Sequence, residues 1–343
     1  MAKRPTITDL AKAAGLSVAT VDRVLNGRAA VREETAARVA AAAAAVGYHA
    51  AGLLKQRAAE TPARTFGFVL QKRNDAFYQA LAAALSHATR TATGIRGKPV
   101  VAFTDELVPG AIARNLREIG AGVDALAVVA VDHPHVTEAI EALAARRVPT
   151  FTLLSDICAP SRAGFIGLDS RKLGRIAGWT ISRLAHTPGP VGVLVGTHRY
   201  LGQELAETSF RSYFREHAPG FRLLETVVDL EDDRIAHEAT LDLLGRHADL
   251  RGIYLAGGGM QGMIAALREE SGRARPVVVC NELLPVTRAA LLDGVVDLVL
   301  STPLATLAAR TVEAMTRACA SGGQATGLAE VLLPADLYIS ENL

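Results

Sequence analysis

Cysteine, aromatic residues and long apolar runs are scarce in this chain. Its 343 residues include three cysteines, and aromatic residues make up 5%. Cys158, Cys280 and Cys319 are odd in number and far apart, without a C-x-x-C pair, which excludes a disulfide framework and a cysteine metal or redox centre. We therefore expect them to be reduced packing residues.

No membrane segment or export signal is evident in the sequence. No window reaches the roughly 20 uninterrupted apolar residues that a membrane span needs. The opening Met-Ala-Lys-Arg is not followed by the apolar core of a signal peptide. The sequence therefore predicts a cytoplasmic protein that has no membrane partner.

The composition is that of a globular protein with an uneven charge distribution. Half of the residues are hydrophobic and 21% are charged, and the length allows two or three domains. Residues 1–60 carry nine Lys or Arg and five Asp or Glu, a net charge of +4, whereas the whole chain carries +2. This pattern favours a small polyanion-binding head on a mildly acidic body.

The head is predicted to contain three short helices, over residues 7–14, 17–26 and about 32–46. Thr6 and Asp9 have the spacing of a capping box, and Ser17 is a favourable N-cap. Only Gly15 and Leu16 separate the first two helices. Such a tight turn is typical of the helix-turn-helix, whose second helix enters the major groove of DNA. A plain three-helix bundle shows similar caps, but the basic excess favours DNA binding.

From residue 65 onward, apolar strands alternate with amphipathic helices. This order predicts an α/β core of two doubly wound, parallel-sheet lobes with a ligand cleft at the carboxyl ends of the strands. The predicted division is a head (1–48), a linker (49–63) and a core (64–343). Within the core we expect a first lobe of about 64–166 plus 297–324 and a second lobe of about 167–296 plus 325–343.

The head also carries a family signature. The run TITDLAKAAGLSVATVDRVLNG (6–27), followed by VREETAARV (31–39) and GY (47–48), closely resembles the LacI/GalR family of bacterial repressors. The body resembles that family's regulatory core, which is similar to type I periplasmic sugar-binding proteins. The resemblance implies a non-enzymatic, homodimeric regulator, with a tetramer as the alternative. It would bind double-stranded operator DNA and a sugar-like or polyol effector, without a cofactor or metal.

The resemblance places Val18, Ala19 and Arg23 on the base-reading face of the second helix. Arg23 could form a bidentate pair with guanine, whereas the two small apolar residues could contact thymine methyl groups. Asp22 departs from the family, in which Ser is common, and would pair with a base amino group or a neighbouring cation, or shift the docking. The positions that match phosphate contacts are Thr6, Ser17, Thr20, Asn26, Arg32 and Thr35. For Thr6, Ser17 and Thr35, plain helix capping explains the residue equally well.

The linker departs further from the family pattern. Many members have G-Y-x-P-N and then a hinge helix that inserts a leucine into the minor groove. This chain lacks the Pro-Asn pair and has Arg57 at the leucine position. Leu54, or Leu53, could form the wedge in a shifted helix, and an arginine in a narrow minor groove is the alternative.

In the body, the segment that contains Asn74, Phe77 and Tyr78 resembles the N-x-P-F-F segment of sugar-binding relatives. Aromatic rings stack on sugar C–H faces, although plain core packing is the alternative for both rings. Asp132 and Glu282 follow predicted strands and align with ligand-binding carboxylates. Further candidates are Asp156 and Asp169, for which turn or cap duties are the alternative.

Several expected ligand contacts are missing. The sugar-gripping arginine of the family aligns with Ala206, its asparagine with Gly257 and a later glutamine with Ser301. Nearby polar residues that could substitute are His198, Arg199, Gln203 and Glu204. Residues 257–259 are predicted to form a tight strand-to-helix turn, which we favour over a phosphate cradle because no P-loop Lys-Ser/Thr follows.

Two other functions are weighed against a ligand-controlled repressor. One is an α/β sugar-acting enzyme with a DNA-binding appendage, but no nucleophile elbow, metal cluster or acid-base pair supports it. The other is a DNA-binding regulator without a small-molecule effector, which the altered ligand positions keep open.

Overall fold

A computed structural model describes residues 5–26, 31, 33–48, 61–105, 108–270, 275–322 and 329–343. The head contains α1 (Ile7–Ala14), α2 (Val18–Asn26) and α3 (Glu33–Val46), which confirms the three predicted helices. The capping box is formed: the Thr6 backbone N–H donates to Asp9 Oδ2 at 2.8 Å, and the Asp9 N–H donates to Thr6 Oγ1 at 3.3 Å. Gly15 ends α1 with a φ of 62°, a conformation that glycine adopts at little cost.

The three head helices share a small core of their own. Leu10, Val21 and Val39 are fully buried within it. The Arg38 guanidinium donates to the Ala14 carbonyl at 2.8 Å and so joins α3 to the end of α1. Because each helix contributes an apolar stripe to this core, the opposite face of α2 is left for solvent or a partner.

The core of the chain follows the predicted alternation of strands and helices. Its elements, in chain order, are β1 (Ala63–Gln71), α4 (Ala76–Thr91), β2 (Arg96–Thr104), α5 (Pro109–Gly120), β3 (Ala125–Val128), α6 (Pro134–Ala145), β4 (Thr150–Leu153), β5 (Gly164–Leu168), α7 (Ser170–Leu184), β6 (Pro190–Val195), α8 (Leu201–His217), β7 (Arg222–Leu223), β8 (Val227–Val228), α9 (Asp233–Arg246), β9 (Gly252–Leu255), α10 (Met260–Glu269), β10 (Val277–Asn281), α11 (Pro285–Leu292), β11 (Leu298–Ser301), α12 (Leu304–Ala320), β12 (Ala329–Leu333) and β13 (Asp336–Tyr338), followed by a 3₁₀ turn (Ser340–Asn342).

These strands form two sheets. The first has six parallel strands in the order β12-β5-β4-β3-β1-β2. The second has the order β13-β11-β10-β9-β6-β7, with β8 also paired to β6, and is parallel except for the antiparallel β13. Helices pack in pairs against the sheets: α4 with α12 and α5 with α6 in the first lobe, and α7 with α8 and α9 with α10 in the second. The predicted fold class is therefore confirmed.

The predicted lobe ranges need correction at the end of the chain. Strand β11, expected in the first lobe, pairs with β10 in the second sheet, whereas β12, expected in the second lobe, pairs with β5 in the first. Both assignments failed because an apolar strand fits either sheet, and only the tertiary packing selects one. The chain therefore crosses between the lobes after β5, after β11 and again after β12.

Two smaller features differ from what the sequence suggests. The apolar segment 223–228 does not form one strand but contains two, β7 and β8, which pair with different parts of β6. Cys280 is buried and Cys319 is half-buried, but Cys158 is exposed, so it is not a packing residue. It lies in the loop between β4 and β5. Within the described ranges, no helix is both long enough and apolar enough to cross a membrane.

Candidate functional sites in the head and between the lobes

The exposed face of α2 carries the residues predicted to read bases. Val18 is 42% exposed, and Ala19 and Arg23 are also exposed. Because Ala19 and Arg23 are four residues apart, they lie on the same face of the helix. Within the part of the chain that the structure describes, the Arg23 guanidinium has no hydrogen bond or ion pair, so its donors are available to a partner.

Asp22 is held within the same helix. The Asn26 Nδ2 group donates to Asp22 Oδ1 at 2.7 Å, so the carboxylate is partnered by an amide and not by the cation considered in the sequence analysis. The hydrogen bond ties the negative charge of Asp22 to Asn26, which is predicted to contact phosphate. Asp22 and Asn26 therefore act as one unit on this surface.

The remaining predicted phosphate-contacting residues lie at helix starts or outside the described residues. Thr6 and Ser17 cap helices: Thr6 Oγ1 hydrogen-bonds to Asp9, and the Thr20 N–H donates to Ser17 Oγ at 3.2 Å. These hydroxyls lie at exposed helix starts, where a phosphate would also be bound. Thr35 is half-buried in the first turn of α3. The other predicted DNA-contacting residues, Arg32, Leu54 and Arg57, lie outside the described residues.

A cavity of about 500 Å³ lies between the two lobes, at the carboxyl ends of their strands. This is the place where doubly wound sheets bind ligands. The cavity is lined from both lobes and from the segments that cross between them by Lys72, Asn74, Asp75, Ala76, Phe77, Tyr78, Val129, Leu154, Ser155, Leu168, Ser170, Leu173, Tyr200, Gly202, Gln203, Ala206, Glu231, Asp233, Ala256, Gly257, Gly258, Gly259, Met260, Gln261, Asn281, Glu282, Leu284, Pro285, Val286 and Thr302.

The predicted aromatic segment lies in this cavity. Asp75 caps α4 by accepting from the backbone N–H groups of Phe77 at 2.9 Å and Tyr78 at 3.2 Å, which fixes both rings at the start of the helix. The rings meet edge to face, with centroids 5.3 Å apart. Asn74 lies beside them and is exposed. Burial raises the pKa of Tyr78 well above its ordinary value, so its hydroxyl remains a donor.

Glu282 also lines the cavity, as predicted, and is strongly held. Thr302 donates to its carboxylate twice, through Oγ1 at 2.6 Å and through the backbone N–H at 2.9 Å, and Ser301 Oγ donates at 3.3 Å. Burial raises the pKa of Glu282, and these hydrogen bonds oppose that rise without cancelling it. Ser301, at the position that the resemblance aligns with a family glutamine, therefore helps to hold the Glu282 carboxylate in place.

A polar clasp joins the lobes beside the cavity. Lys72 Nζ, which follows β1, donates to the Glu231 carbonyl at 2.7 Å and lies 3.4 Å from Glu231 Oε2 in the second lobe. Gln203 Nε2 donates to Glu231 Oε1 at 2.8 Å, and its own Oε1 accepts from the Gly196 N–H at 2.8 Å. Glu231 is thus held by both lobes at once.

The glycine loop packs against this clasp. A Cβ atom at Gly257 would lie 2.8 Å from the Gly196 nitrogen, and one at Gly258 would lie 2.8 Å from Glu231 Cβ. Both positions therefore require glycine. Gly259 has a φ of 86° and is the N-cap of α10, as expected of a strand-to-helix turn.

Backbone strain is concentrated at the cavity. Lys72, Leu154, Glu231 and Glu282 line it with φ values of 39°, 63°, 55° and 62°. Residues other than glycine rarely adopt a positive φ. This backbone conformation costs of order 1–3 kcal/mol at each residue and is often found at functional sites. This strain makes the cavity a candidate functional site on grounds that do not depend on the resemblance.

Five of the predicted effector residues do not line the cavity. Asp132 accepts from the Cys158 N–H at 3.0 Å, and Asp156 is bonded to Arg162 at 2.7 Å. Asp169 caps α7, and His198 Nε2 lies 2.8 Å from Glu207 Oε2. Arg199 is also outside the lining, and its side chain is exposed. All five residues follow strands, but the loops turn the first four toward partners within the protein, which the strand-end rule cannot foresee.

The fold brings to the cavity several residues that the sequence patterns did not identify. Lys72 follows β1 directly and Asn281 is the last residue of β10, so the strand-end rule that identified Glu282 would have found both. Tyr200 and Glu231 had no such signal, because they lie in loops whose paths are set by packing. Gln203, considered only as a substitute, is central to the clasp.

The comparisons with known proteins agree with this geometry. Residues 66–324 match the family described as periplasmic binding protein domain, and residues 6–50 match the family described as bacterial regulatory proteins, lacI family. The chain belongs to the LacI family. Its head is the family's helix-turn-helix unit, and its body is the family's periplasmic-binding-protein-like core. The LacI family is one of regulators and not of enzymes.

Curated relatives of this LacI-family chain are named as helix-turn-helix-type transcriptional regulators. An uncharacterized helix-turn-helix-type transcriptional regulator in the aml 5′ region of Streptomyces limosus is 32% identical over 198 residues, which are 57% of this chain and 54% of that protein. The regulator MalR of Streptomyces coelicolor is 29% identical over 199 residues, 57% of this chain and 55% of that protein. The chain thus spans about half the length of the curated relatives it matches.

Solved structures show the same fold at low identity. GanP, a glucose-galactose binding protein from Geobacillus stearothermophilus, has a TM-score of 0.74 at 16% identity, over 82% of this chain and 99% of that chain. A solute binding protein from Agrobacterium vitis bound with alpha-D-tagatopyranose has a TM-score of 0.73 at 18% identity, over 81% and 95% of the two chains. At these identities the likeness concerns the fold alone.

Proposed function

We propose that this LacI-family chain is a transcriptional repressor whose affinity for operator DNA is controlled by a small sugar-like or polyol effector bound between its lobes. The observation that carries the proposal is the presence, in one chain, of an exposed reading face on α2 and a strained, polar cavity at the carboxyl ends of two parallel sheets. A regulator of this kind works in the cytoplasm, where DNA is accessible.

The proposed mechanism couples the cavity to the heads through the lobes. Both lobes contribute to the cavity, so an effector that contacts both favours one arrangement of the lobes over others. In a homodimer, that arrangement sets the spacing of two heads, which must fit half-sites about 34 Å apart or a multiple of this distance. The clasp between Lys72 and Glu231 connects the two lobes directly.

The chemistry of the cavity supports a polyhydroxylated effector. Carboxylate and amide oxygens accept hydrogen bonds from hydroxyl groups, and Glu282 and Asn281 present such oxygens. The rings of Phe77 and Tyr78 offer faces for sugar C–H groups. Sugar binding in the structurally similar solute binding proteins is consistent with this ligand class.

The first test is selection of duplexes from a random DNA pool by the full chain, followed by fluorescence anisotropy on the enriched sequence. We expect an enriched two-fold symmetric sequence and an affinity that changes when one member of a sugar and polyol panel is added. The absence of any enriched sequence would refute the regulator.

The second test concerns the reading face. Arg23→Ala should weaken binding to the enriched sequence by about 1–3 kcal/mol for each half-site, the worth of one bidentate base contact, and leave non-specific binding nearly unchanged. Arg114 is an exposed arginine on α5, outside the head. Arg114→Ala removes the same charge and should have no such effect. Equal sequence preference in Arg23→Ala and the wild type would contradict the assigned docking face.

A further inference from the structure

The lining of the cavity is strongly acidic. Among its described residues, four carry carboxylates and one carries an ammonium group. The carboxylates belong to Asp75, Glu231, Asp233 and Glu282, and the single cation is Lys72. Ala206 stands at the position that the resemblance aligns with a sugar-binding arginine of the family. Among the described residues that line the cavity, there is no arginine.

The one cation is already used by the protein. Lys72 Nζ bonds to the Glu231 carbonyl at 2.7 Å and lies 3.4 Å from the Glu231 carboxylate. The Glu231 side chain is only 9% exposed. An anionic ligand would therefore have to displace a partly buried, well-bonded carboxylate to reach this ammonium, while the remaining carboxylates repel it.

The places where a phosphate would ordinarily bind are also filled. A glycine loop followed by a helix start is a common anion site, and α10 begins after Gly257–Gly259 without a side-chain cap. Here the Glu231 side chain packs against Gly196 and Gly258, and a Cβ atom at Gly259 would lie 3.1 Å from Asp229 Oδ2. The protein thus supplies its own acidic side chains to this loop.

Buried polar atoms in or beside the cavity lack a hydrogen-bond partner in the described part of the chain. Tyr200 Oη lines the cavity and can donate or accept, Asn281 Oδ1 lines it as an acceptor, and Gln71 Oε1 lies outside the lining, directly before Lys72. The two amide nitrogens are engaged: Asn281 Nδ2 donates to the Ala256 carbonyl at 2.9 Å, and Gln71 Nε2 donates to the Val129 carbonyl at 2.6 Å. Those carbonyls determine the amide orientation, so the free amide atoms are oxygens that require donors.

We infer that the effector is an amine-bearing polyhydroxylated compound, an amino sugar or amino polyol in its protonated form, and that phosphorylated and carboxylated sugars are rejected. An ammonium group supplies three donors and a positive charge, which matches both the free acceptors and the excess of carboxylates. This inference rests on the proposed function, because it assumes that the effector binds in the cavity between the lobes.

The experiment measures binding of matched compounds to the full chain by isothermal titration calorimetry at pH 6.5. The panel contains glucose, glucosamine and glucose 6-phosphate, with the corresponding galactose and mannose series and Tris against pentaerythritol. We expect at least one amine to bind at least about tenfold more tightly than its neutral counterpart. The reason is that the attraction between an ammonium group and a nearby carboxylate in a partly buried site is worth more than a tenfold change in affinity. The phosphates should show no binding.

Three results would overturn the inference: a phosphate that binds as tightly as its amine, a neutral compound that binds as tightly as its amine, or no binding by any amine of the panel. A neutral sugar that binds as tightly as its amine and shifts operator affinity would support the proposed regulator and contradict the inferred preference for an amine-bearing effector. An amine that binds tightly without any effect on DNA affinity would uphold the ligand class and contradict the regulatory role.

Variants locate the effect in the cavity. Asp233→Asn removes one carboxylate without touching the clasp, and its Oδ1 atom can still accept from the Gly262 N–H. It should reduce the preference for the amine over its neutral counterpart several-fold. Glu238→Gln, on the exposed surface of α9, makes the same change in net charge and should leave the preference unchanged. An equal preference in wild type and Asp233→Asn would contradict the assigned site.

Discussion

A buried carboxyl beneath the glycine loop should make the stability of this protein depend on pH. Asp229 is fully buried; its Oδ1 accepts from the Glu231 N–H at 2.8 Å, and its Oδ2 has no hydrogen-bond partner among the described residues. Burial, with a further contribution from the nearby Glu231 and Asp233 charges, raises the pKa of Asp229 from 3.8 to about 7. The folded protein therefore holds a proton at this site that the unfolded chain releases.

The sign follows from this difference. Because the folded-state pKa lies above the unfolded-state pKa, the contribution of Asp229 is most favourable below about pH 4, falls as the pH rises to about 7, and is constant above that. A shift from 3.8 to about 7 corresponds to at most about 4 kcal/mol of unfolding free energy, at about 1.4 kcal/mol per pH unit. Asp229→Asn keeps the Oδ1 acceptor and removes the ionisation.

The assay is urea unfolding of wild type and Asp229→Asn between pH 4 and 9. We expect the stability of the variant relative to wild type to increase by a few kcal/mol from pH 4 to pH 8, with the change confined to that interval. Asp232→Asn is the control: Asp232 is exposed, caps α9 and has its pKa lowered by those cap hydrogen bonds. Parallel curves for wild type and Asp229→Asn across the whole range would refute the reasoning.

Two further predictions concern the clasp and the packing of the second lobe. Lys72→Met removes the bonds to Glu231 that join the lobes and should separate them in the free protein, measured as a larger radius of gyration by small-angle X-ray scattering; Lys172→Met, which removes an exposed ion pair within one lobe, should not. Gly174→Ala places a Cβ atom against the α8 backbone and should lower the unfolding free energy by about 1–3 kcal/mol, the usual cost of overpacking. Gly110→Ala, which meets no atom within 4 Å, should be neutral or stabilising in thermal unfolding, and equal effects of the two glycine substitutions would contradict the packing argument.

The reliability of the sequence predictions differs between the head and the cavity. In the head, Thr6, Gly15 and Ser17 act through bonds to residues three or four positions away, so their roles can be read from spacing alone. In the cavity, Glu282 was found because it follows a strand, whereas Asp132 follows one as well and turns to the Cys158 backbone. The rule identifies the correct edge of a sheet but not the direction of each loop.

The alternation of apolar strands and amphipathic helices and the capping signals were sufficient to predict the three head helices and the two parallel α/β lobes, and the basic excess of the first 60 residues indicated a polyanionic partner for the head. These are local properties, governed by the helical and strand periods and by bonds between near neighbours. The choice of sheet for β11 and β12 depended on packing between distant segments. So did the clasp, in which Lys72 and Glu231 lie 159 residues apart in the chain. The acidic, acceptor-rich character of the cavity arises only when both lobes fold together, because burial decides which oxygens lose their water and which find a partner.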